Sequence, residues 1–460
     1  MADNVPLLGL AIPEACILTP KAPMSFLDTR RPVADLPVLP LFPTILSGVA
    51  LLYAAVFGYF IWATAGQMSG YDFLDWIMLY SERPAGRLAY LWTPHSEHRI
   101  AAERLLLGID IEWFGGTGLP FVVVRTALVL ILSLGLAWQI YHSIASQLVK
   151  ATALSLLVFA LLPAHLVVMC TMPVMGGFVH TGSFAVFALL LWDNDSTPKR
   201  AAALAAAAIA GLGLAGGLFT WPALAFVAWR SGARVAWLAV IGVAGLLMWT
   251  IYLKGLPSHP GMLALDLQRV VAMADFVIRF LGLPWSHAAA LVWPGRAIGT
   301  LVLATGCYLL LTDAFSGQRK PGFERVGLGM ILFAFMLAAA AALARLNIAP
   351  DREMPVRYGM IVALAHAGIL LAALPWLGRL IEGRHAAAVK IAILVAATAL
   401  LAQQVMVGRA AVVQAGLYSD AWQRFSAGAW TPDMTHFVYP DRARAEKVLA
   451  YMRSQRIYGQ

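Results

Sequence analysis

The sequence has little charge and few cysteines. Of its 460 residues only 12% are charged, whereas a soluble domain carries about 25% charged residues. This scarcity excludes an ordinary soluble enzyme. The three cysteines, Cys16, Cys170 and Cys307, are few and widely separated, so neither a disulfide framework nor a thiolate metal site is predicted.

Several familiar motifs are also missing. The chain has no Walker loop, no dinucleotide fingerprint, no G-x-S-x-G elbow and no H-E-x-x-H helix. Residues 1–43 lack a charged start followed by a short apolar core, so no signal peptide is expected. An enzyme built on this chain would therefore need an activated donor that is already in the membrane.

Long apolar runs fill most of the chain. Hydrophobic residues make up 60% of the sequence, and many windows reach the roughly 20 residues that cross a bilayer. The sequence predicts an all-α, polytopic integral membrane protein with about eleven spans, the fifth and sixth being short helices separated at Trp221-Pro222. The predicted spans are 44–64, 119–141, 151–170, 173–192, two within 201–229, 235–254, 294–311, 325–343, 358–377 and 388–407.

The basic residues predict the topology. Lys and Arg lie mainly in short connections on one side of the predicted spans, which indicates a cytosolic N-terminus and a periplasmic C-terminus. The formal charge of +9 is therefore a topology signal, and no nucleic acid is expected as a partner. The predicted organisation is a cytosolic tail (1–43), a transmembrane domain (44–408) with outer loops at 65–118 and 255–293, and a periplasmic tail (409–460) with a helix at 441–456.

The first outer loop concentrates the polar residues. Residues 70–116 contain acidic, basic and aromatic side chains among predicted amphipathic helices. Asp72 and Asp75 are three apart, so on a helix they would share a face. One carboxylate can act as a general base, and two can hold a divalent cation. Alternatively, both are solvated residues at a helix start.

The segment W-T-P-H-S-E-H-R is the densest polar cluster in this loop. Glu97, His98 and Arg99 offer a base, a proton relay and an anion clamp, and Trp92 suits a sugar or headgroup surface. The alternative is an interfacial loop with a structural ion pair. Asp110, further along, is expected to be structural and to pair with Arg104.

Three further regions are candidates. Arg352 and Arg357 stand just before a span, where an arginine fork can clamp a lipid phosphate or simply reach the surface. Tyr358 follows directly. His180 lies within a predicted span, where an ionisable residue is a functional candidate, although a buried neutral histidine is the simpler interpretation.

These features together resemble the GT-C superfamily of membrane glycosyltransferases. The resemblance covers about residues 44–455 and rests on the large acidic first outer loop, the span number and the outer C-terminal tail. A narrower likeness to a group of bacterial membrane proteins rests on W-x-x-x-x-E-H-R-I, D-x-x-x-F-G-G, a later R-Y and V-Y-P-D. Those motifs fall on Trp92, Glu97, His98, Arg99, Ile100, Asp110, Phe114, Gly115, Gly116, Arg357, Tyr358, Val438, Tyr439, Pro440 and Asp441.

The resemblance implies a function. It implies transfer of a sugar from a polyprenyl-phosphate donor to a cell-envelope glycan or lipid acceptor, with inversion, on the periplasmic side of a bacterial inner membrane. The base would be Asp72 or Asp75, with Glu97 second. The remaining substrate-binding candidates are His98, Arg99, Trp92, Trp76, Arg352, Arg357, Tyr358 and His180.

Cofactor and partners follow the same expectation. No protein metal site is assigned, and a Mg²⁺ or Mn²⁺ ion is left open as a cofactor. The expected partners are the lipid-linked donor, the glycan or lipid acceptor and membrane lipids. The alternatives are a transporter or flippase of a polyprenyl-linked sugar, or a polysaccharide polymerase or ligase.

Overall fold

The structure is a computed structural model that describes residues 41–66, 70, 72–82, 86–95, 98–192, 196–256, 266–286, 292–345 and 356–458. The predicted tail at 1–43 lies outside these ranges except for its last three residues. Within the described residues every element is helical. An all-α, polytopic membrane protein is thereby confirmed.

Nineteen α-helices can be followed through the described part of the chain. They are α1 Phe42–Thr64, α2 Asp72–Glu82, α3 Gly86–Trp92, α4 Ala101–Phe114, α5 Leu119–Ser143, α6 Gln147–Leu161, α7 His165–Thr171, α8 Gly177–Trp192, α9 Thr197–Gly213, α10 Thr220–Arg230, α11 Val235–Leu253, α12 Leu267–Leu281, α13 Val292–Phe315, α14 Gly322–Arg345, α15 Gly359–Ala372, α16 Leu374–Glu382, α17 Ala386–Ser426, α18 Met434–Phe437 and α19 Arg442–Gln455.

The number of candidate spans among the described residues is lower than the predicted eleven. By length and composition, seven helical segments in these residues can cross a membrane, α8 among them because the 3-10 turn before it extends the segment to Pro173–Trp192, or up to nine if the bent pairs α6–α7 and α15–α16 each form one span. Helices α9 and α10 have 17 and 11 residues. At 1.5 Å per residue they are roughly 26 and 17 Å long, short of the ~30 Å hydrocarbon core. The count of eleven is therefore not confirmed.

The helices have two well-defined ends. At one end Thr64 contacts Thr171 (3.3 Å between hydroxyl oxygens), and the Phe178 and Tyr358 rings meet at 5.4 Å. We call this end the site face. At the other end the Ser146 hydroxyl donates to Glu382 (2.6 Å); we call it the far face. Lys150 in the first turn of α6 and Arg379 in the last turn of α16 lie near the far face.

Helices α9 and α10 form a hairpin that returns to the far face. The Arg200 guanidinium lies over the Trp192 and Trp237 rings, 5.4 and 5.6 Å away, so 200 and 237 share one end. The break lies at residues 214–219 and not at Trp221-Pro222. Pro222 is in the first turn of α10, where a missing N–H costs nothing because that donor has no helical partner.

The hairpin turn depends on a close approach of the main chain. A Cβ at Gly217 would overlap the Ala210 carbonyl group. The apolar helices around it differ in depth. In its most apolar 18-residue window α14 is 61% buried, whereas α11 is 17% buried. Helix α14 is thus central, and α11 presents its side chains outward.

The second predicted outer loop contains a helix, α12. Helix α12 begins after Asp266, whose carboxylate accepts from the Arg269 N–H (2.7 Å). Asp275 on α12 pairs with Arg279 one turn on (2.9 Å) and with Arg296 on α13 (2.9 Å). These ion pairs fix α12 against α13.

The C-terminal region is tied to the first loop. Helix α17 runs for 41 residues, so the predicted limit of the membrane domain at 408 falls inside it. Helix α19, Arg442–Gln455, falls within the stretch 441–456 for which a helix is predicted. A second hydrophobic cluster, separate from the main core, joins α2 and α4 to α19 through side chains such as Phe73, Leu107 and Leu449.

Candidate functional site

The first loop folds into three short helices, α2, α3 and α4, and a tight turn follows α3. His95 and His98 exchange two main-chain hydrogen bonds, from His95 N–H to His98 O (2.7 Å) and from His98 N–H to His95 O (2.9 Å). The turn directs both histidines toward the same region, since both line one cavity at the site face.

Arg99 holds this turn in place. Its guanidinium is buried and donates to the carbonyls of Tyr252 (2.8 Å), Trp92 and Lys254, and it lies over the Trp92 ring. The Arg99 main-chain N–H donates to the Tyr252 hydroxyl (2.8 Å). Arg99 and Trp92, predicted to bind substrate, are thus engaged with each other and with the end of α11.

Arg104 completes the support and has a different partner from the predicted one. It donates to the carbonyls of Tyr90 (2.8 Å) and Thr93. The expected pair with Asp110 is wrong. Asp110 instead accepts from the Gly118 N–H (3.0 Å) and from the Tyr458 hydroxyl (2.8 Å). Burial raises the pKa of Asp110, and these hydrogen bonds oppose the rise.

The D-x-x-x-F-G-G segment serves this contact with the C-terminus. Gly115 and Gly116 have φ of 64° and 68°, values that favour glycine. The Tyr458 N–H donates to the Gly115 carbonyl (3.3 Å), and a Cβ at Gly116 would crowd the Tyr458 ring. The motif therefore builds a docking place for the end of the chain.

A cavity of about 200 Å³ lies at the site face beside α2 and the turn. It brings together four of the sequence-predicted residues: Asp72, Trp76, His98 and Arg357. It also contains His95, which sequence reasoning did not select although it stands in the same W-T-P-H segment. The remaining walls are apolar and consist of Ile100, Val174, Met175, Phe178 and Leu214.

Asp72 is the only carboxylate on the walls of this cavity among the described residues. Its side chain is 55% exposed, and its Oδ2 lies 3.6 Å from His95 Nε2. The contact with His95 lowers the pKa of Asp72. Burial opposes this effect, and the charges of His95 and Arg357 add to the lowering. Asp72 is therefore ionised at neutral pH.

Trp76 forms a wall of the cavity and is 2% exposed. Its indole stands edge-on to the His95 imidazole, with ring centroids 5.9 Å apart. The buried Nε1–H of Trp76 has no hydrogen-bond acceptor among the described residues. A buried donor without a partner is costly.

Asp75 is on the same helix but does not line the cavity. The Tyr439 hydroxyl donates to Asp75 Oδ1 (2.6 Å), and Arg444 Nη2 lies 2.8 Å from the same oxygen. Burial and the contact with Asp75 raise the pKa of Tyr439 to about 12. Asp75 therefore fastens the C-terminal segment to α2, and the two aspartates have separate partners.

Behind the cavity lies a buried ionic cluster of Glu103, Arg125 and His180. His180 Nδ1 is 2.6 Å from Glu103 Oε1, and Arg125 Nη2 binds Glu103 Oε2. Arg125 also donates to the Met172 carbonyl (2.8 Å). Burial raises the pKa of Glu103, but Arg125 and His180 outweigh it, and the pKa is lowered.

The contacts in this cluster show that His180 is part of the ionic cluster and not of the cavity. His180 is engaged with Glu103 and is not among the residues that line the cavity. Sequence reasoning missed Glu103 and Arg125. A signal was present, since Arg125 is a lone charge within an apolar span, and such residues are rarely placed there without a partner or a role.

The remaining predicted residues are separated. Tyr358 is buried, with its ring between those of Phe178 (5.4 Å) and Phe280 (4.8 Å), so it supports the cavity from behind. Arg357 lies at the cavity. Glu97 and Arg352 lie outside the described residues.

The described residues do not provide a fitting site for Mg²⁺ or Mn²⁺. No group of three or more His, Cys, Asp or Glu side chains in the described ranges is placed to hold a metal ion. Both ions favour several oxygen ligands, whereas the described walls of the cavity offer one carboxylate.

Comparisons were made with models of known protein families, with characterised proteins and with solved structures. None of them matches this chain.

Proposed function

We propose that the protein is a membrane glycosyltransferase that takes a sugar from a polyprenyl-phosphate donor. The observation that carries the proposal is the cavity at the site face. It combines one ionised carboxylate (Asp72), one arginine (Arg357) and one buried indole with an unsatisfied donor (Trp76). A base, a phosphate ligand and a sugar-facing aromatic are the groups that such a transfer requires.

The groups have complementary roles in the proposed reaction. Asp72 takes the proton of the acceptor hydroxyl while its oxygen attacks the anomeric carbon. The bond between that carbon and the lipid phosphate breaks, and the electron pair leaves with the phosphate. The configuration at the anomeric carbon is inverted, because attack and departure occur on opposite faces.

Arg357 is assigned to the leaving phosphate. Its planar fork suits phosphate oxygens, and charge developing on the leaving group is stabilised by a fixed cation. The Trp76 indole lines the cavity and offers an aromatic wall to a sugar. His98 and His95 border the same space, and the contact with His95 lowers the pKa of Asp72.

The contacts of Asp72 and Asp75 distinguish the two candidate bases. Asp75 Oδ1 is held by Tyr439 and Arg444, and Asp75 does not line the cavity. We therefore assign Asp72 as the base and Asp75 as a positioning residue. The acceptor would be a cell-envelope glycan or lipid, with the site face at the periplasmic side of the inner membrane. The basic far face supports that orientation.

The test is transfer of label from polyprenyl-phosphate sugars to lipid and glycan acceptors in membranes that contain the protein. We expect Asp72→Asn to lower transfer about 10²–10⁴-fold, the contribution of a general base. Asp75→Asn is the matched control, since it makes the same chemical change one helical turn away, and it should cost much less. Glu97→Gln tests the second candidate base. Full transfer by Asp72→Asn would refute the assignment.

A transporter of the same lipid-linked sugar is the second candidate, because two spans are broken. Helices α6 and α7 meet at 60°, and α15 and α16 meet at 63°. Broken helices line substrate sites in many transporters. The two readings differ in outcome. A transporter moves labelled donor across vesicles and leaves the sugar–phosphate bond intact, whereas a transferase breaks that bond.

A further inference from the structure

A second polar cavity lies at the far face, between α13, the start of α14, and α16. Its volume is about 270 Å³. All of its lining residues are described: Leu309, Thr312, Asp313, Gln318, Arg319, Lys320, Pro321, Glu324, Leu328, Ala372, Pro375, Trp376 and Arg379. None of them belongs to the site at Asp72, which is at the opposite end of the helices.

The two acids in this cavity are already neutralised. Asp313 is 1% exposed and accepts from Arg230 Nη2 (3.2 Å). Glu324 is 5% exposed and pairs with Lys320 Nζ (3.2 Å). Buried carboxylates require such partners. Because Asp313 and Glu324 already have these partners, they do not neutralise the other cations in the cavity.

Two arginines supply that uncompensated charge. Arg319 and Arg379 are exposed at the cavity, one before α14 and one on α16. Neither forms an ion pair with any residue that the structure describes. The cavity thus carries a net positive charge, with two arginines from different parts of the chain among its lining residues. Arginine forks in this arrangement favour phosphate oxygens.

Trp376 lines the same cavity and forms an aromatic pair with Tyr308, which does not line it. The rings of Tyr308 on α13 and Trp376 on α16 lie 5.6 Å apart, and these residues are 52% and 39% exposed. Exposed Tyr and Trp at helix ends are typical of the headgroup level of a bilayer. Leu309, Leu328 and Ala372 add an apolar wall. A small soluble anion would gain no favourable contact from this apolar and aromatic border.

We propose that this cavity binds the phosphate of an anionic glycerophospholipid from the leaflet at the far face. Arg319 and Arg379 hold the phosphate, and the Tyr308–Trp376 pair and the apolar wall contact the glycerol and the upper acyl chains. Basic pockets between membrane helices commonly hold anionic headgroups. The proposal does not depend on the transfer reaction, because no cavity residue lies at the site face.

The test is native mass spectrometry of the full chain released from detergent, titrated with phosphatidylglycerol or phosphatidylcholine. The variants are Arg319→Gln, Arg379→Gln and the pair. Arg384→Gln is the matched control, because Arg384 is also exposed near the far end of α16 but does not line the cavity. We expect about fivefold weaker phosphatidylglycerol binding for each single variant and about 25-fold for the pair. Binding of phosphatidylcholine should be weak in all.

The remaining outcomes would overturn the proposal. Equal binding by the wild type and the double variant would remove the arginines from lipid binding. An equal loss in Arg384→Gln would show non-specific attraction to the basic face. A parallel titration with inorganic phosphate tests a soluble ligand. If phosphate alone binds as tightly and with the same dependence on both arginines, the site is for a free anion and the lipid assignment is wrong.

Discussion

Replacing Glu103 by glutamine should destabilise the protein strongly, although the residue does not line the cavity. The Glu103 side chain is 1% exposed and lies between Arg125, which is 0% exposed, and His180. Glutamine preserves the size of the side chain but removes its charge. The Arg125 guanidinium then stays buried without a counter-charge. Removing one partner of a buried ion pair costs about 3–5 kcal/mol.

The remaining contacts of Arg125 determine where in this range the loss of stability falls. Arg125 retains the carbonyls of Met172 (2.8 Å) and Pro173 as acceptors, and these neutral groups offset part of the loss. We therefore expect the lower end, about 3 kcal/mol. Since about 1.4 kcal/mol is tenfold in an equilibrium, the ratio of folded to unfolded protein should fall more than a hundredfold.

The assay is unfolding of the purified protein in mixed micelles, followed by circular dichroism. Glu82→Gln is the matched control, because Glu82 makes its ion pair with Lys447 at the surface, where the side chains are 46% and 65% exposed. It should leave the midpoint unchanged. A double variant, Glu103→Leu with Arg125→Met, should recover much of the lost stability, since an apolar pair of similar volume leaves no buried charge. Equal midpoints for Glu103→Gln and Glu82→Gln would refute the reasoning.

Two further predictions concern the helix that carries Asp72. Tyr439→Phe removes the hydrogen bond to Asp75 and should lower stability by about 1 kcal/mol. Limited proteolysis should then cleave the C-terminal segment faster than in the wild type. Unchanged cleavage would contradict the role of this contact. The second prediction is a pH dependence. Because the contact with His95 lowers the pKa of Asp72, the ionised base is lost only below the ordinary aspartate range. His95→Gln should raise that pKa, so the acid limb of the transfer rate should move to higher pH; a limb that stays in place or moves lower would show that His95 does not tune Asp72.

Hydropathy alone predicted the helices well and their number less well. The long apolar runs became helical, because a helix satisfies its own main-chain groups in hydrocarbon, although the runs at 151–170 and 358–377 each became a bent pair. The breaks were harder to place. At 201–229 the proline pointed to Trp221, but the chain turns earlier, where Gly217 allows close contact with the main chain of α9. That contact is between segments and leaves no mark in local hydropathy.

The local sequence did not show which polar residues line the cavity and which have partners elsewhere. By sequence, Arg99 and Arg357 are equally good candidate anion ligands. The Arg99 guanidinium donates to the carbonyls of Tyr252 and Lys254 at the end of α11, whereas Arg357 lines the cavity. Asp72 and Asp75 share a helix, yet Asp75 is taken by Tyr439, more than 300 positions away. Partners that are distant in sequence decide which polar groups remain available, and one sequence does not reveal them.

The C-terminal segment explains how an exposed loop can support a defined cavity. A helix of 11 residues such as α2 is marginal alone. Here its first turn is held by Tyr439 and Arg444 through Asp75, whereas the exposed pair of Glu82 with Lys447 contributes little. The first turn of α2 is therefore fixed to the segment that follows the long helix α17. Asp72 lies within the same first turn as Asp75, so docking of the C-terminal segment fixes the direction of Asp72 without touching it.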